Sequence, residues 1–231
     1  MSYNQFCPIA KAMEVVGEKW TLLIVRELLM GASRFSEMQR GLPTLSPALL
    51  TKRLNDMEQS GLLARKRISG QRGYEYFPTN ACKELMPVIE AIGGWGMQWA
   101  REQMTESDFD PGLLMLYLER SINPDKLIGN ETVIRFDFSD VLDHPHWWIV
   151  VDGQKVSVCV TDPGKEVDIY FNVCVRVMCE IWMGELSYKR AINDGKLKLI
   201  GPKALTKNIN DWLAPSVFAG DLPSSAILNP A

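Results

Sequence analysis

The amino-acid sequence predicts an α+β fold in two domains, and three observations support this. Helix-period apolar patterns dominate residues 1–105. Residues 106–231 change to short alternating segments joined by glycine turns, which is typical of strands. Between them, TESDFDPG at 105–112 is polar and ends in Pro-Gly, as linkers commonly do. We therefore expect one domain over 1–105 and another over 106–231.

Composition is that of a globular protein. The chain has 231 residues, of which 46% are hydrophobic, so it can bury a sizeable core. Its start lacks the basic and apolar regions of a secretion signal, and no apolar stretch approaches the ~18 residues that span a bilayer. We therefore expect a cytoplasmic protein that makes no membrane contact. The five cysteines are scattered and show no CxxC pair, which predicts neither a disulfide framework nor a zinc site.

The charge is unevenly distributed along the chain. The formal net charge is −3, yet eight basic residues and only three acidic ones lie between residues 34 and 72. A concentration of positive charge in one half of an acidic protein indicates a surface for a polyanion.

The first half predicts four helices and a hairpin. The segment EKWTLLIVRELLMG has helical apolar spacing and ends on Gly31, and RFSEMQRGL forms a short helix before Pro43. Ser46 and Pro47 are an N-cap and a first helical residue, and Gly61 ends the helix that they start. Strands over 63–69 and 73–78 follow, and then an apolar-faced helix over 80–104, for which a second copy of the chain is the simplest partner.

The second half predicts a sheet with helices. A helix near 112–122 precedes strands near 132–138, 147–152, 155–161 and 166–171, the last three joined as antiparallel hairpins by Asp152-Gly153 and Asp162-Pro163-Gly164. Helices near 173–183, 187–194 and 203–214 complete the prediction.

The helix, turn, capped helix and basic hairpin of the first half predict a winged helix-turn-helix that reads double-stranded DNA. The major groove admits one α-helix, and the wing supplies cations to the adjacent phosphates. A solvated charged face is the alternative for any single cation. The candidate DNA-binding residues are Arg34, Ser46, Thr51, Lys52, Asn55, Arg65, Lys66 and Arg72.

Residues 1–100 resemble the HxlR family, a MarR-related group of bacterial transcription regulators. The matching positions are Cys7-Pro8, Gly17-Glu18-Lys19-Trp20-Thr21, Gly31, Arg34-Phe35, Leu50-Thr51, Gly61-Leu62, Tyr74-Glu75-Tyr76, Leu85, Pro87 and Trp95. The resemblance implies a homodimer that binds a near-palindromic operator, usually as a repressor, with terminal helices at its interface. One departure is FPTNA at 77–81, where the family usually has Leu-Thr-x-x-Gly.

The family resemblance also implies a second hypothesis, in which Cys7 senses oxidants or electrophiles. A thiol at a helix start has a lowered pKa and is more reactive. A half-buried cysteine with no role is an equally good interpretation. Cys82 is a candidate partner thiol, although the sequence does not place it within reach.

Residues 130–218 resemble the sterol-carrier-protein type of lipid-binding domain. The resemblance rests on Trp182-Met183-Gly184, Ala191-Ile192, Gly195-Lys196-Leu197 and Ile200-Gly201. It implies a sterol-carrier-like α/β sandwich with an apolar pocket for a hydrophobic small-molecule effector. Plain core packing is the alternative for each candidate ligand-binding residue: Trp147, Trp148, Tyr170, Met178, Trp182 and Phe218.

No catalytic pattern stands out in the sequence. Asp143-His144-Pro145-His146 offers two imidazoles, but a polar loop is the better interpretation than a metal site. There is no glycine-rich phosphate loop or nucleophile elbow, so we expect neither an enzyme nor a cofactor. A third hypothesis is a lipid carrier whose winged helix contacts only proteins.

Overall fold

The computed structural model describes residues 2–221, which form two compact units that divide between residues 93 and 94. No helix within the described range is long and apolar enough to cross a membrane. The first unit contains, in order, α1 (Pro8–Val16), α2 (Thr21–Leu29), α3 (Phe35–Gly41), α4 (Pro47–Gln59), β1 (Leu63–Arg67), β2 (Tyr74–Pro78), α5 (Asn80–Lys83) and the first part of α6 (Met86–Trp99).

The core of the first unit lies among α2, α3, α4 and the hairpin. Its members are apolar side chains at helical spacing, including Ile24, Met38, Leu50 and Leu54, with Tyr76 from β2. β1 and β2 pair antiparallel, and residues 33–34 extend this sheet because the Tyr76 N–H donates to the Ser33 carbonyl at 2.8 Å. The hairpin is therefore fixed to the helices at its base.

The helices at either end of the first unit differ from the sequence prediction. α1 was not predicted, although Pro8 occupies a favourable first helical position. The helix expected over 80–104 is divided into α5, α6 and a 3₁₀ turn at 101–103. Thr79, within the segment that departs from the family pattern, caps α5 by accepting a hydrogen bond from the Cys82 N–H.

The second unit is a five-stranded mixed sheet with helices. Its elements are α7 (Pro111–Ser121), β3 (Glu131–Phe138), β4 (His146–Asp152), β5 (Lys155–Cys159), β6 (Ile169–Val173), α8 (Val175–Trp182), α9 (Tyr188–Asn193), β7 (Leu197–Ile200), α10 (Lys203–Thr206) and α11 (Ile209–Trp212). The strand order is β5-β4-β3-β6-β7. The core gathers Phe136, Phe171 and Trp212 with apolar residues of α7 and α8.

One topological prediction was wrong. The segment predicted as a strand at 166–171 is β6, and it does not form a hairpin with β5. Instead it crosses to β3 and pairs with it in parallel, Ile134 opposite Ile169 and Phe136 opposite Phe171. This position buries Ile169, Phe171 and Val173 in the middle of the sheet, which a hairpin at the sheet edge would not do. Strand β7 was not predicted, and the helix expected over 203–214 is α10 and α11.

Candidate nucleic-acid interface

Helix α4 has a capped start, a buried inner side and a polar outer side. The Ser46 side chain accepts a hydrogen bond from the Leu49 N–H at 3.3 Å, and Pro47 follows at the first helical position. Leu50, Leu54 and Met57 are buried, as the sequence pattern predicts. The outer side carries exposed Thr51 and Lys52 and half-buried Asn55. Such a helix can present polar groups to a groove while it is anchored from behind.

The turn that leads into α4 is held by contacts that the sequence does not reveal. The Gln39 amide donates to the carbonyl oxygens of Leu42 and Leu45 at 3.1 and 2.6 Å. Gly41, at the end of α3, packs against the carboxylate of Glu27, which is fully buried and paired with Arg26. These contacts fix where the helix-turn-helix bends.

The wing consists of β1, β2 and the glycine-containing tip between them. Gly70 and Gly73 have φ angles of +70° and +113°, which side-chain-bearing residues rarely adopt. Lys66 and Arg72 are exposed and form no ion pair with any residue in 2–221, and Lys52 on α4 likewise has no ion-pair partner in that range. These three cations are therefore available to an external anion.

Two of the candidate cations are instead held by the protein. Arg34 lies 3.1 Å from the Glu75 carboxylate of β2. Arg65 donates to the Asn55 side-chain oxygen at 2.9 Å and lies 3.0 Å from the Glu58 carboxylate. The structure thus joins Asn55 of the helix to Arg65 of the wing.

Sequence reasoning did not single out Arg53. Its guanidinium lies 2.8 Å from Glu18 and 3.4 Å from Asp56, and its side chain is mostly buried. It ties α4 to the segment that precedes α2. The only sequence signal was an arginine on an otherwise polar helix face. Such a signal does not distinguish an arginine that forms ion pairs within the protein from one that contacts DNA.

The two thiols considered for redox chemistry have different surroundings. Cys7 is half-buried and immediately precedes α1. Cys82 is fully buried, and this burial raises the pKa of its thiol. A buried thiol with a raised pKa is a poor nucleophile, so Cys82 is not prepared to react in this conformation.

The six candidate ligand-binding residues do not form one group. Trp147 and Trp182 pack against the core of the second unit, and Met178 is part of that core. Trp148 and Tyr170 lie on the opposite sheet face, where both are cross-strand neighbours of Arg135. The guanidinium of Arg135 lies over both rings, at 5.3 and 5.9 Å from their centroids. Phe218 is half-buried in the segment after α11.

Trp182 is held firmly in place. Its ring stacks on Tyr117 at 4.9 Å between centroids, and its Nε1 donates to the Ser121 hydroxyl at 2.8 Å. These contacts join α8 to α7.

Of the two histidines, His146 is the first residue of β4. Its Nδ1 lies 2.6 Å from the Asp137 carboxylate, and this contact keeps the imidazole at that end of the strand.

Comparison with known proteins finds a family match for each half of the chain. Residues 15–104 match the model of the HxlR-like helix-turn-helix family, and residues 115–213 match that of the SCP-2 sterol transfer family. An uncharacterized HTH-type transcriptional regulator of Bacillus subtilis (strain 168), YvaP, is 36% identical over 101 residues, covering 43% of this chain and 94% of YvaP. The chain belongs to the HxlR-like helix-turn-helix family. It is an HTH-type transcriptional regulator with an SCP-2 domain attached, as the sequence predicts.

Other relatives also match part of the chain. YkvN, another uncharacterized HTH-type transcriptional regulator of Bacillus subtilis (strain 168), is 30% identical over 105 residues, which are 45% of this chain and 89% of YkvN. The reduced form of the transcriptional regulator YodB from B. subtilis is 27% identical, with a TM-score of 0.36, and the match covers 41% of this chain and 95% of YodB. These matches cover less than half of the present HxlR-like regulator.

Proposed function

We propose that the chain is a homodimeric, non-enzymatic regulator that binds a near-palindromic operator and responds to an apolar small molecule in its SCP-2 domain. The observation that carries the DNA-binding part is the arrangement of α4 and the wing. A capped helix with a polar outer side stands beside a hairpin with cations that have no ion-pair partner among residues 2–221. A helix for the groove and available cations for the phosphates are what duplex recognition requires.

The proposed second subunit covers apolar side chains that α1 and α6 leave exposed. α1 has no buried residue, and Ile9 is exposed on it. On α6, Ile92 is 49% exposed and Trp95 61%. Exposed apolar side chains of this size on neighbouring turns are typical of interfaces. A twofold dimer would place the two α4 helices about one DNA turn apart, ~34–36 Å.

The DNA-binding proposal is tested with two matched triple variants. The first, Lys52→Ala/Lys66→Ala/Arg72→Ala, removes three candidate cations that have no ion-pair partner among residues 2–221. The second removes three lysines of the second unit, Lys189→Ala/Lys198→Ala/Lys207→Ala, and so changes the net charge equally. Binding to the chain's own upstream DNA is measured by fluorescence anisotropy. The proposal requires that the first variant lose affinity while the second retains it, and equal losses would contradict it.

The effector proposal rests on the presence of an SCP-2 domain and on the contacts of the residues that follow α6. Immediately after α6, Arg101 is buried and makes a two-pronged ion pair with Glu185 in the loop between α8 and α9, Nη2 to Oε2 being 2.9 Å. The same guanidinium lies over the Phe109 ring. A ligand that moves this loop would pull on the helix proposed to form the dimer. A tenfold change in operator affinity needs about 1.4 kcal/mol of discrimination between the two states.

The effector proposal is tested with a fluorescent long-chain fatty acid as the probe. The expected result is that the probe binds saturably and that its binding changes the affinity of the protein for the operator. Arg101→Lys should reduce this change in operator affinity more than it reduces binding of the probe. Binding of the probe without DNA binding by the protein would instead favour the lipid-carrier hypothesis. A response to oxidants that Cys7→Ser abolishes, with no response to the probe, would favour the thiol sensor.

A further inference from the structure

Arg65 makes three contacts that join the recognition helix to the wing. Its Nη1 donates to the Asn55 Oδ1 at 2.9 Å, and its Nε lies 3.0 Å from the Glu58 carboxylate. Its guanidinium carbon also lies 4.8 Å from the centroid of the Tyr74 ring. Asn55 and Glu58 are one turn apart on α4, and Tyr74 begins β2. One side chain therefore fixes the wing against the helix proposed to enter the groove.

The chemistry of the Asn55 contact determines which way its carboxamide points. A guanidinium has N–H donors and no acceptor, so the group of Asn55 that faces it must be the carbonyl oxygen. The amide NH₂ of Asn55 is then directed away from Arg65. Without this contact the carboxamide can turn over, because rotation about its last side-chain bond exchanges an acceptor for a donor at nearly the same place.

We propose that Arg65 is a positioning residue that sets base specificity by holding the Asn55 amide as a hydrogen-bond donor. This inference rests on the proposed function, in which α4 lies in the major groove. Guanine N7 and O6, adenine N7 and thymine O4 are acceptors there, whereas the amines of cytosine and adenine are donors. Asn55 held in this way prefers a base edge that accepts.

The neighbouring cation has a different role. Side chains alternate across a strand, so Lys66 projects from the opposite face of β1. It is exposed and has no ion-pair partner among the described residues, while the charge of Arg65 is already paired with Glu58. Lys66 is suited to a phosphate, which carries no sequence information, and Arg65 acts through Asn55.

The test measures the affinity of the full-length chain for its operator and for a set of single base-pair substitutions, across a salt series. Arg65→Lys keeps the charge but replaces the planar fork with an ammonium that does not span Asn55 and Glu58 in the same way. We expect it to lower discrimination at one position in each half-site about fivefold, the value of one hydrogen bond, with an unchanged salt slope. Lys66→Ala should weaken binding to every sequence alike and make the slope shallower by about 0.9 for each phosphate that the variant no longer neutralises.

A double variant separates positioning from direct contact. If Arg65 acts through Asn55, Asn55→Ala/Arg65→Lys discriminates no worse than Asn55→Ala alone. Additive losses, or an Arg65→Lys variant that weakens all sequences equally, would overturn the inference and leave the proposed function standing. A wild-type chain that binds no DNA would overturn both. Circular dichroism establishes that each variant folds, and Arg65→Gln replaces Arg65→Lys if that variant does not.

Discussion

Gly41→Ala tests the packing beneath the recognition helix. A Cβ atom at position 41 would lie 2.1 Å from the Glu27 Oε2 and 2.2 Å from its Cδ, both far inside van der Waals contact. Glu27 cannot move outward easily, because its side chain is fully buried and its Oε1 accepts a hydrogen bond from the Arg26 Nε at 2.9 Å. Arg26 also donates to the Gly41 carbonyl at 3.0 Å. The substitution therefore disturbs both members of a buried ion pair.

The expected cost follows from two opposing effects. Alanine in a helix is ordinarily more favourable than glycine by about 1 kcal/mol. Breaking a buried ion pair costs about 3–5 kcal/mol. The net effect is a loss of about 2–4 kcal/mol, a large fraction of the ~5–15 kcal/mol that stabilises a typical domain. The same substitution at Gly96 of α6, where the added Cβ meets no described atom within 4 Å apart from its chain neighbours and the backbone of its own helix, should stabilise the protein or leave it unchanged.

Hydrogen exchange with peptide resolution measures this effect in the affected unit alone. Amides of α2, α3 and α4 should lose protection in Gly41→Ala, and operator affinity should fall because the turn before α4 is displaced. Peptides of the five-stranded sheet should exchange as in the wild type. Unchanged or increased protection in residues 21–60 would refute the steric argument, since it would mean that Glu27 relaxes at no cost.

Three further predictions concern assembly, acid sensitivity and thiol reactivity. Ile92→Asp should convert the dimer to a monomer in light scattering and weaken operator binding, whereas Ile128→Asp, also at an exposed isoleucine, should do neither. If both variants remained dimers, the proposed interface would be refuted. Burial raises the pKa of Glu37, but hydrogen bonds from two backbone N–H groups outweigh this and hold it below the ordinary 4.5. A lowered folded-state pKa stabilises above pH 4.5, so the stability difference between wild type and Glu37→Gln should be full near pH 6 and shrink as pH falls below 4.5 in urea titrations; a constant difference would contradict this. Burial raises the pKa of the Cys82 thiol, and burial also raises the pKa of the Cys179 thiol, in this case to about 12. Iodoacetamide at pH 8 should therefore label both thiols far more slowly in the folded than in the unfolded chain, and equal rates would show that these thiols are accessible.

Local chemistry explains what the sequence predicted well. Ser46 and Pro47 specify the start of α4 without reference to the rest of the chain, and the glycines of the wing tip specify a turn. The spacing of Leu50, Leu54 and Met57 identifies the buried side of the helix because that spacing is fixed by the helical repeat.

Long-range pairing explains what the sequence did not predict. β6 follows β5 in the chain but pairs with β3, and the turn between β5 and β6 has the same composition as a hairpin turn. Trp147 and Trp148 are adjacent aromatic residues in a strand, so one must face away from the core, and only the register with Arg135 shows which. The contact of Arg65 with Asn55 depends on where the wing lies against α4, which no local pattern encodes.

The central claim, that α4 and the wing bind DNA, is tested most directly by the salt dependence of binding to the chain's own upstream intergenic DNA. Three available cations in each subunit give about six phosphate contacts for a dimer, so the logarithm of the association constant should fall with the logarithm of salt concentration with a slope of about −5. A slope near this value that becomes shallower in Lys52→Ala/Lys66→Ala/Arg72→Ala is the predicted result. Absence of binding at low salt, or a slope that this variant leaves unchanged, would contradict the claim.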